Sequence, residues 1–439
     1  MNAFDHAFDV LRSAPPSTQR FGRVRSVVGL LVEASGLDAA LGELCYLYES
    51  DRPGGRRVKA EVVGVRDGTT VLIPLEETTG LRAGSLVEPA RLPLAVRVGD
   101  ALLGRVIDAA GRPIDGKGPL RLPHEQPVHA DPPSPLSRRL ISDPLPTGVR
   151  ALDAMLTMGK GQRVGIFAGS GVGKSTLLGM IARRAEADVN VIALIGERGR
   201  EVREFIEDAL GEEGLARSVV VAVTGDQAAM SRVKGAFIAT AIAEHFRDQG
   251  QDVLLMMDSV TRVAMAQREI GLAVGEPPTT RGYTPSVFAL LPRLLERAGP
   301  GVVGTITGLY TVLVDGGDMD EPVADAVRGI LDGHVVLSRQ LAQAGHFPAI
   351  DVLQSVSRVM PRVASLEDRK TADEARGLLA GYARVEDLIR VGAYERGHDT
   401  EADRAIGAHA PLIGFLRQSV EEPVVEHPAA VLREVLAAV

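Results

Sequence analysis

A glycine-rich stretch near the middle of the chain has the residue types and spacing of a phosphate-binding loop. It reads Ala168-Gly169-Ser170-Gly171-Val172-Gly173-Lys174-Ser175, between an apolar strand-like run and a helical stretch. Glycines let backbone N–H groups turn towards phosphates, and the N-terminus of the following helix adds a positive dipole. Lys174 is expected to reach the β- and γ-phosphates, and Ser175 to ligate Mg²⁺. We expect the nucleotide to contact Gly169, Ser170, Gly171, Val172, Gly173, Lys174, Ser175 and Thr176.

An acidic residue ends a second apolar run further along the chain. The run Val253-Leu254-Leu255-Met256-Met257 is followed directly by Asp258, as in a buried strand that ends at the edge of a sheet. Many strands end in an aspartate, so the pattern alone is weak. Behind a phosphate-binding loop, however, such an acid is placed to hold Mg²⁺ through water. We therefore expect Asp258 and Ser175 to form the metal site.

A hydrolase also needs a group that polarises the attacking water, and Glu197 is the candidate. It follows the apolar run 189–195, within Gly196-Glu197-Arg198-Gly199. Taken by itself, a glutamate in such a loop is more often a solvated surface charge. The spacing does not decide between these two interpretations.

The surrounding sequence predicts three kinds of structure to position these residues. Closely spaced β-rich runs, such as 24–32 and 59–65, predict a small β-barrel domain over residues 21–95. Apolar runs that alternate with helical stretches predict an α/β domain over 96–362, with a mostly parallel sheet covered by helices. Stretches rich in Ala, Leu, Glu and Arg at 367–381, 384–391 and 430–438 predict a helical domain over 363–439.

The first 20 residues carry a short apolar stripe that includes Phe4, Phe8 and Leu11. This stripe is typical of one face of a helix, and Pro15 and Pro16 end it. We interpret residues 1–20 as a helix and linker that dock a partner protein. A frayed terminus, or a helix that packs on its own body, is the alternative.

Composition excludes several classes of protein. The 439 residues have a net charge of −8, which gives no overall basic field for a nucleic-acid backbone, so we expect no nucleic-acid partner. A single cysteine, Cys45, excludes an intrachain disulfide framework and fits a reducing cytoplasm. The N-terminus has no basic signal region, and no apolar run approaches the roughly 18 residues of a membrane span. We therefore expect a cytoplasmic protein.

Together, four segments resemble the rotary ATPase α/β-subunit family. They are the phosphate-binding loop, Gly196-Glu197-Arg198, the strand that ends at Asp258, and Pro348-Ala349-Ile350-Asp351-Val352-Leu353-Gln354-Ser355-Val356-Ser357-Arg358, which matches the family's signature. With the stretch 281–298, the chain is most similar to the ATPases of the bacterial flagellar type III export apparatus. The resemblance extends from about residue 21 to 416 and implies a RecA-like central domain that hydrolyses Mg-ATP.

The resemblance also implies roles for individual residues. Glu197 activates the attacking water, Asp258 is the acid of the metal site, and Lys174 contacts the phosphates. Arg358 is an arginine finger that reaches the nucleotide of a neighbouring subunit and stabilises the charge of the transferred phosphoryl group. Phe347 stacks on the adenine, although an ordinary core phenylalanine beside Pro348 is the alternative.

The family implies several partners. The chain would form a homohexameric ring, with a coiled-coil central stalk near residues 384–394 of the helical domain. A stator-like regulatory protein would bind the N-terminus, and the ring would serve an export gate and chaperone–cargo complexes. Association with the inner face of the cytoplasmic membrane would then be peripheral and occur through partners only. Val172 and the stretch 178–183 favour the flagellar over the injectisome branch.

Three other functions remain open at this point, besides an injectisome ATPase. A hexameric RNA translocase of the transcription-terminator type needs a basic, aromatic-rich barrel. Residues 21–95 instead contain nine Lys and Arg, ten Asp and Glu, and three aromatic residues. The catalytic subunit of an ATP synthase would also carry Lys174, Glu197 and Asp258, and a nucleotide-gated scaffold would need no catalysis.

Overall fold

The computed structural model describes residues 21–49 and 56–438. The chain forms two compact units, and the boundary in sequence lies between Leu94 and Ala95. The docking helix predicted for residues 1–20 falls outside the described residues. No helix within the described residues is long and apolar enough to cross a membrane.

The first unit is a closed six-stranded antiparallel barrel with strand order β1-β2-β5-β4-β3-β6. The predicted run 24–32 is divided by a tight turn into the hairpin of β1 and β2. Alternate residues of each strand point inwards, and Val32, Leu47 and Leu72 lie in the resulting core. The strands are β1 (Gly22–Val28), β2 (Leu31–Ser35), β3 (Glu43–Tyr48), β4 (Arg57–Arg66), β5 (Thr69–Pro74) and β6 (Leu86–Pro93).

The second unit is built on a nine-stranded sheet. Its strand order is β17-β16-β10-β15-β13-β11-β12-β8, with β14 beside β15. Only β14 and β17 run antiparallel to their neighbours. The strands are β8 (Arg105–Ile107), β10 (Arg163–Ala168), β11 (Val189–Glu197), β12 (Ser218–Thr224), β13 (Asp252–Asp258), β14 (Gly299–Pro300), β15 (Thr305–Leu313), β16 (Gly333–Leu337) and β17 (Ile350–Ser357), while β7 (Ala95–Val98) and β9 (His124–Pro127) form a separate pair.

Helices cover this sheet and continue beyond it. The α-helices are α1 (Arg150–Met155), α2 (Lys174–Arg184), α3 (Gly199–Glu204), α4 (Gly211–Ala216), α5 (Ala229–Asp248), α6 (Val260–Ala273), α7 (Pro285–Leu295), α8 (Pro322–Ile330), α9 (Arg339–Gln343), α10 (Met360–Val363), α11 (Leu366–Arg390), α12 (Thr400–Leu416) and α13 (Pro428–Ala437). A π-helical turn, Phe205–Leu210, joins α3 to α4. The predicted α/β class, with a mostly parallel sheet, a small barrel and C-terminal helices, is confirmed.

The C-terminal helices differ in detail from the sequence prediction. The stretches 367–381 and 384–391 form one helix, α11, and α12 was not predicted. Leu378, Leu412 and Leu432 share one apolar core with Ile166 and Leu177 of the sheet region. These helices thus belong to the same compact unit as the sheet, and a domain boundary at 362/363 stays a prediction.

A buried ion pair ties α5 to the end of α7. Arg297 is fully buried, its Nε donates to Glu244 Oε1 at 2.8 Å, and its Nη1 donates to the Val128 carbonyl at 2.6 Å. Removing one member of such a pair leaves an uncompensated buried charge.

We expect Arg297→Met to lower the free energy of unfolding by about 3–5 kcal/mol in urea titrations. The double variant Arg297→Met/Glu244→Leu should recover much of this loss, because no charge is then left buried. Arg390→Met is the control, since Arg390 pairs with Glu386 on the surface and should cost under about 1 kcal/mol. A double variant as unstable as the single one would contradict this account.

Candidate nucleotide site

The phosphate-binding loop lies at the carboxyl end of β10, in the middle of the sheet. Gly171 and Gly173 have φ angles of +77° and +87°, which favour glycine, and Gly173 is the N-cap of α2. Because the loop turns directly into the helix, the first N–H groups of α2 lack intrahelical partners and face the space above the loop. Ser175 and Thr176 are exposed in the first turn of α2. The loop therefore has the form that phosphate binding requires.

Three of the predicted residues converge beside this loop. The Lys174 ammonium contacts Asp258 Oδ1 and lies 3.8 Å from Glu197 Oε1. Asp258 is the last residue of β13 and Glu197 the last of β11, so two neighbouring parallel strands deliver both carboxylates to the same edge. The sequence predicts Glu197 just after the strand 189–195, whereas the structure makes it the last residue of that strand.

Burial governs the charge state of Glu197. Burial first, and then the nearby Asp258 carboxylate, raise the pKa of Glu197 to about 7, while the Lys174 ammonium opposes this shift. A carboxyl with a pKa near the working pH is suited to act as a general base. The interpretation as a fully solvated loop charge does not fit this environment, because the Glu197 side chain is 14% exposed.

Two arginines lie near Glu197, Arg198 in sequence and Arg262 in space, and their surroundings differ. Arg198 points to solvent and pairs with Glu201 at 3.6 Å. Arg262, on α6, passes close over Gly196, and its charge acts on the Glu197 carboxyl. Of the two, Arg262 is the one whose charge lies near the Glu197 carboxylate.

Phe347 lies against the phosphate-binding loop. The position that a Cβ would take on Gly173 is 3.4 Å from Phe347 Cδ1, and the Phe347 side chain is 46% exposed. An aromatic ring that is half exposed beside the loop offers a face for stacking a base. A phenylalanine of the core would be buried instead.

Arg358 is separated from the loop of its own chain. Its backbone N–H donates to the Asp332 carbonyl at 3.0 Å, and its Nη1 donates to the Leu331 carbonyl at 3.1 Å. Asp332 in turn accepts from the backbone of Arg163, the first residue of β10, whereas the loop follows the last residue. The six residues of β10 span roughly 20 Å. Arg358 is exposed at the opposite edge of the sheet, where it does not meet the other site residues.

Two further residues of the site are not predicted by the sequence pattern. Arg339, the first residue of α9, lies with Nη2 3.3 Å from the position of a Cβ on Gly169. Thr311, on β15, donates to Asp258 Oδ1 at 2.7 Å. Both follow from strand order, because β16 and β15 flank β10 and end at the same edge. Sequence alone does not reveal that order.

A short segment after α12, residues 417–422, is hydrogen-bonded to Phe347 and to the C-terminal end of α2. The backbone N–H of Gln418 donates to the Phe347 carbonyl at 2.9 Å, and its side-chain amide bonds to Arg150 N and the Gly148 carbonyl. At the far end of α2, Arg184 donates to the carbonyls of Val420 and Glu422. The segment links the C-terminal helices to the Phe347 side and to the helix of the phosphate-binding loop.

The donors at the loop fit a magnesium ion better than a transition metal. No group of three or more His, Cys, Asp or Glu side chains that could hold a metal occurs in 21–49 or 56–438. Mg²⁺ needs no such cage, since one or two carboxylates, hydroxyls, waters and phosphate oxygens complete its shell. Ser175 offers an exposed hydroxyl, and Asp258 Oδ2 accepts no hydrogen bond among the described residues.

A loop of this form on a mostly parallel sheet, with one buried and one partly buried carboxylate beside its lysine, defines a P-loop nucleotide-hydrolysing protein. Three family models match the chain: the ATP synthase alpha/beta family beta-barrel domain over residues 24–91, the nucleotide-binding domain of that family over 148–357, and the T3SS EscN ATPase C-terminal domain over 364–427. The chain belongs to the ATP synthase alpha/beta family, in the branch of the type III export ATPases, and it is an ATP-hydrolysing enzyme.

Individual relatives agree with this assignment. The Flagellum-specific ATP synthase of Bacillus subtilis is 56% identical over 425 residues, which cover 96% of this chain and 95% of that protein. The Type 3 secretion system ATPase of Xanthomonas euvesicatoria is 53% identical, with 92% and 91% covered. The assembled ATPase EscN of enteropathogenic E. coli is 47% identical, with a TM-score of 0.89 and coverage of 94% and 100%; its complex with the central stalk EscO gives 0.87.

Proposed function

We propose that this chain hydrolyses Mg-ATP at the interfaces of a homohexameric ring and so energises flagellar protein export. The position of Arg358 is the observation that carries the proposal. An arginine about one strand length from its own loop cannot complete that site, but it is exposed and available to a neighbouring subunit. Each site would then combine Lys174, Glu197 and Asp258 of one subunit with Arg358 of the next.

Each residue has a task in this site. The backbone N–H groups of residues 169–175 and the Lys174 ammonium bind the phosphates, and Phe347 stacks on the adenine. Mg²⁺, held by Ser175 and through water by Asp258, would neutralise phosphate charge. Glu197 accepts a proton from the attacking water, and Arg358 stabilises the charge that spreads over the transferred phosphoryl group.

The proposed partners follow from the relatives and from exposed surface. The structure of EscN with its central stalk supports a coiled-coil stalk for this chain. Leu388 and Val391, at the end of α11, are exposed apolar residues within the predicted contact region 384–394. We also propose a stator-like regulatory protein at the N-terminus, an export gate, chaperone–cargo complexes, and peripheral membrane association through these partners.

The rate of ATP hydrolysis per subunit, measured against protein concentration, tests the trans site. We expect the rate per subunit to rise steeply with concentration as rings form, and to be unaffected by single-stranded RNA. A rate that is constant per subunit down to dilutions at which the chain is monomeric would contradict the proposal. Activity that requires RNA would favour a translocase instead.

Genetic complementation tests the flagellar role. Expression of this chain in a motile bacterium that lacks its own flagellar export ATPase should restore swimming, and a Lys174→Ala variant should not. Rescue of an injectisome-defective strain, without rescue of swimming, would assign the chain to the injectisome branch.

A further inference from the structure

Thr311 is a buried hydroxyl that faces the proposed metal site, and no role has so far been assigned to it. It lies on β15, beside β13, and it is fully buried. Its Oγ1 is 2.7 Å from Asp258 Oδ1 and 3.4 Å from the Met257 carbonyl. The shorter contact makes the carboxylate its principal acceptor.

Asp258 has two partners, and both bind the same oxygen. The Lys174 ammonium and the Thr311 hydroxyl contact Oδ1. Oδ2 accepts no hydrogen bond in the described part of the chain. The carboxylate is therefore anchored on one side, while its second oxygen is available to another ligand.

The two partners differ in what happens when nucleotide binds. Lys174 has a flexible side chain, and in the proposed function its ammonium moves to the β- and γ-phosphates. Thr311 cannot follow, because its branched side chain is stiff at χ1 and is enclosed by the sheet. Once Lys174 has left, the Thr311 hydroxyl is the remaining protein group that orients Asp258.

We propose that Thr311 is a positioning residue that holds Asp258 Oδ1, so that Oδ2 faces the divalent cation bound with ATP. This inference rests on the proposed function and extends it to a residue outside the catalytic set. Asp258 would hold this cation through water, so the orientation of its carboxylate decides where that water lies. Loss of the hydrogen-bond partners that orient a metal site typically costs 10–100-fold in metal affinity.

Three variants separate positioning from general structure. Thr311→Val keeps the shape of the side chain and removes the hydroxyl, and Thr311→Ser restores it. Thr307→Val is the matched control. Thr307 is also buried on β15, but its hydroxyl accepts from Gly161 N at 2.8 Å, near the opposite end of the strand.

The readout is binding rather than turnover. Mn²⁺ binding is measured by electron paramagnetic resonance with a non-hydrolysable ATP analogue, and analogue binding is measured with Mg²⁺ and with EDTA. We expect Thr311→Val to weaken Mn²⁺ at least about tenfold and to reduce the gain in analogue affinity that Mg²⁺ gives. Its analogue affinity in EDTA should equal that of the parent, and Thr311→Ser and Thr307→Val should bind Mn²⁺ like the parent.

Two results would overturn the inference: unchanged Mn²⁺ affinity in Thr311→Val, or an equal loss in Thr307→Val. Failure of the proposed function gives a different pattern. In that case the parent chain itself would bind the analogue equally well with Mg²⁺ and with EDTA. Thermal melting of each variant identifies any that fails to fold. If Thr311→Val does not fold, Thr311→Ala, which also lacks the hydroxyl, carries the same comparison against Thr307→Val and should show the same loss of Mn²⁺ affinity.

Discussion

Arg358→Ala is expected to bind ATP as tightly as the parent chain and to lose about 10³–10⁵ in kcat, the range attributed to arginine fingers. Binding survives because the loop, Lys174 and Phe347 lie at the other edge of the sheet. Turnover falls because the charge of the transferred phosphoryl group loses its stabilising cation. Arg362→Ala is the matched control, since Arg362 is a second exposed arginine four residues further along the chain. Steady-state hydrolysis and equilibrium binding of a fluorescent ATP analogue provide both quantities.

A mixing experiment tests whether the finger acts between subunits. Lys174→Ala chains have an intact Arg358, and Arg358→Ala chains have an intact loop. Each is expected to be inactive alone, and mixed rings should regain activity at interfaces that combine the two intact halves. Absence of any recovery, in mixtures shown to form rings, would contradict a finger supplied in trans.

Glu197→Gln is expected to lose about 10²–10⁴ in kcat, the usual contribution of a positioned general base. Glutamine has the same shape, yet it cannot accept a proton from water. The variant should retain ATP binding and ring formation, because the phosphate-binding loop and Lys174, which bind the phosphates in the proposed site, are unchanged. Glu204→Gln on α3 is the control, since Glu204 is an exposed glutamate that pairs with Arg200 on the surface. A Glu197→Gln variant with parental kcat would assign the base to another residue.

The pH dependence of the parent chain gives an independent check on Glu197. Its pKa is raised to about 7, so the carboxyl is protonated below that pH and cannot accept a proton. With Mg²⁺ in excess, kcat/KM should level off above about pH 7 and fall about tenfold per pH unit below it, because kcat/KM reports ionisation of the free enzyme. The same rate at pH 6 and pH 8 would contradict a basic role for Glu197.

The parts of the site that sequence predicts are those encoded within one short segment. The loop 168–175 carries its own strand, glycines and helix start, so its position at the end of β10 follows from local pattern. The sequence pattern also predicts Asp258 at the end of a strand, whereas it left Glu197 undecided between a catalytic base and a surface charge. The parallel strands β13 and β11 bring both carboxylates to one edge of the sheet. The pairing of Lys174 with Asp258 is a direct result of that geometry.

Contacts between segments that are far apart in the chain could not be predicted from the sequence pattern. Thr311 reaches Asp258 only because β15 lies beside β13, and Arg339 reaches the loop only because β16 lies beside β10. A threonine in an apolar strand looks like any β-branched residue that favours a sheet. Helix α12 was missed for a related reason: Pro411 lies inside it, and much of its stability comes from packing of residues such as Leu412.

The segment 417–422 makes the C-terminal helices part of the mechanics of the nucleotide site. A swing of α11 and α12 has to break the Gln418 and Arg184 hydrogen bonds or carry Phe347 and α2 with it. A displacement of the C-terminal helices would therefore be transmitted to the backbone of Phe347, beside the phosphate-binding loop, and to α2, the helix that this loop begins.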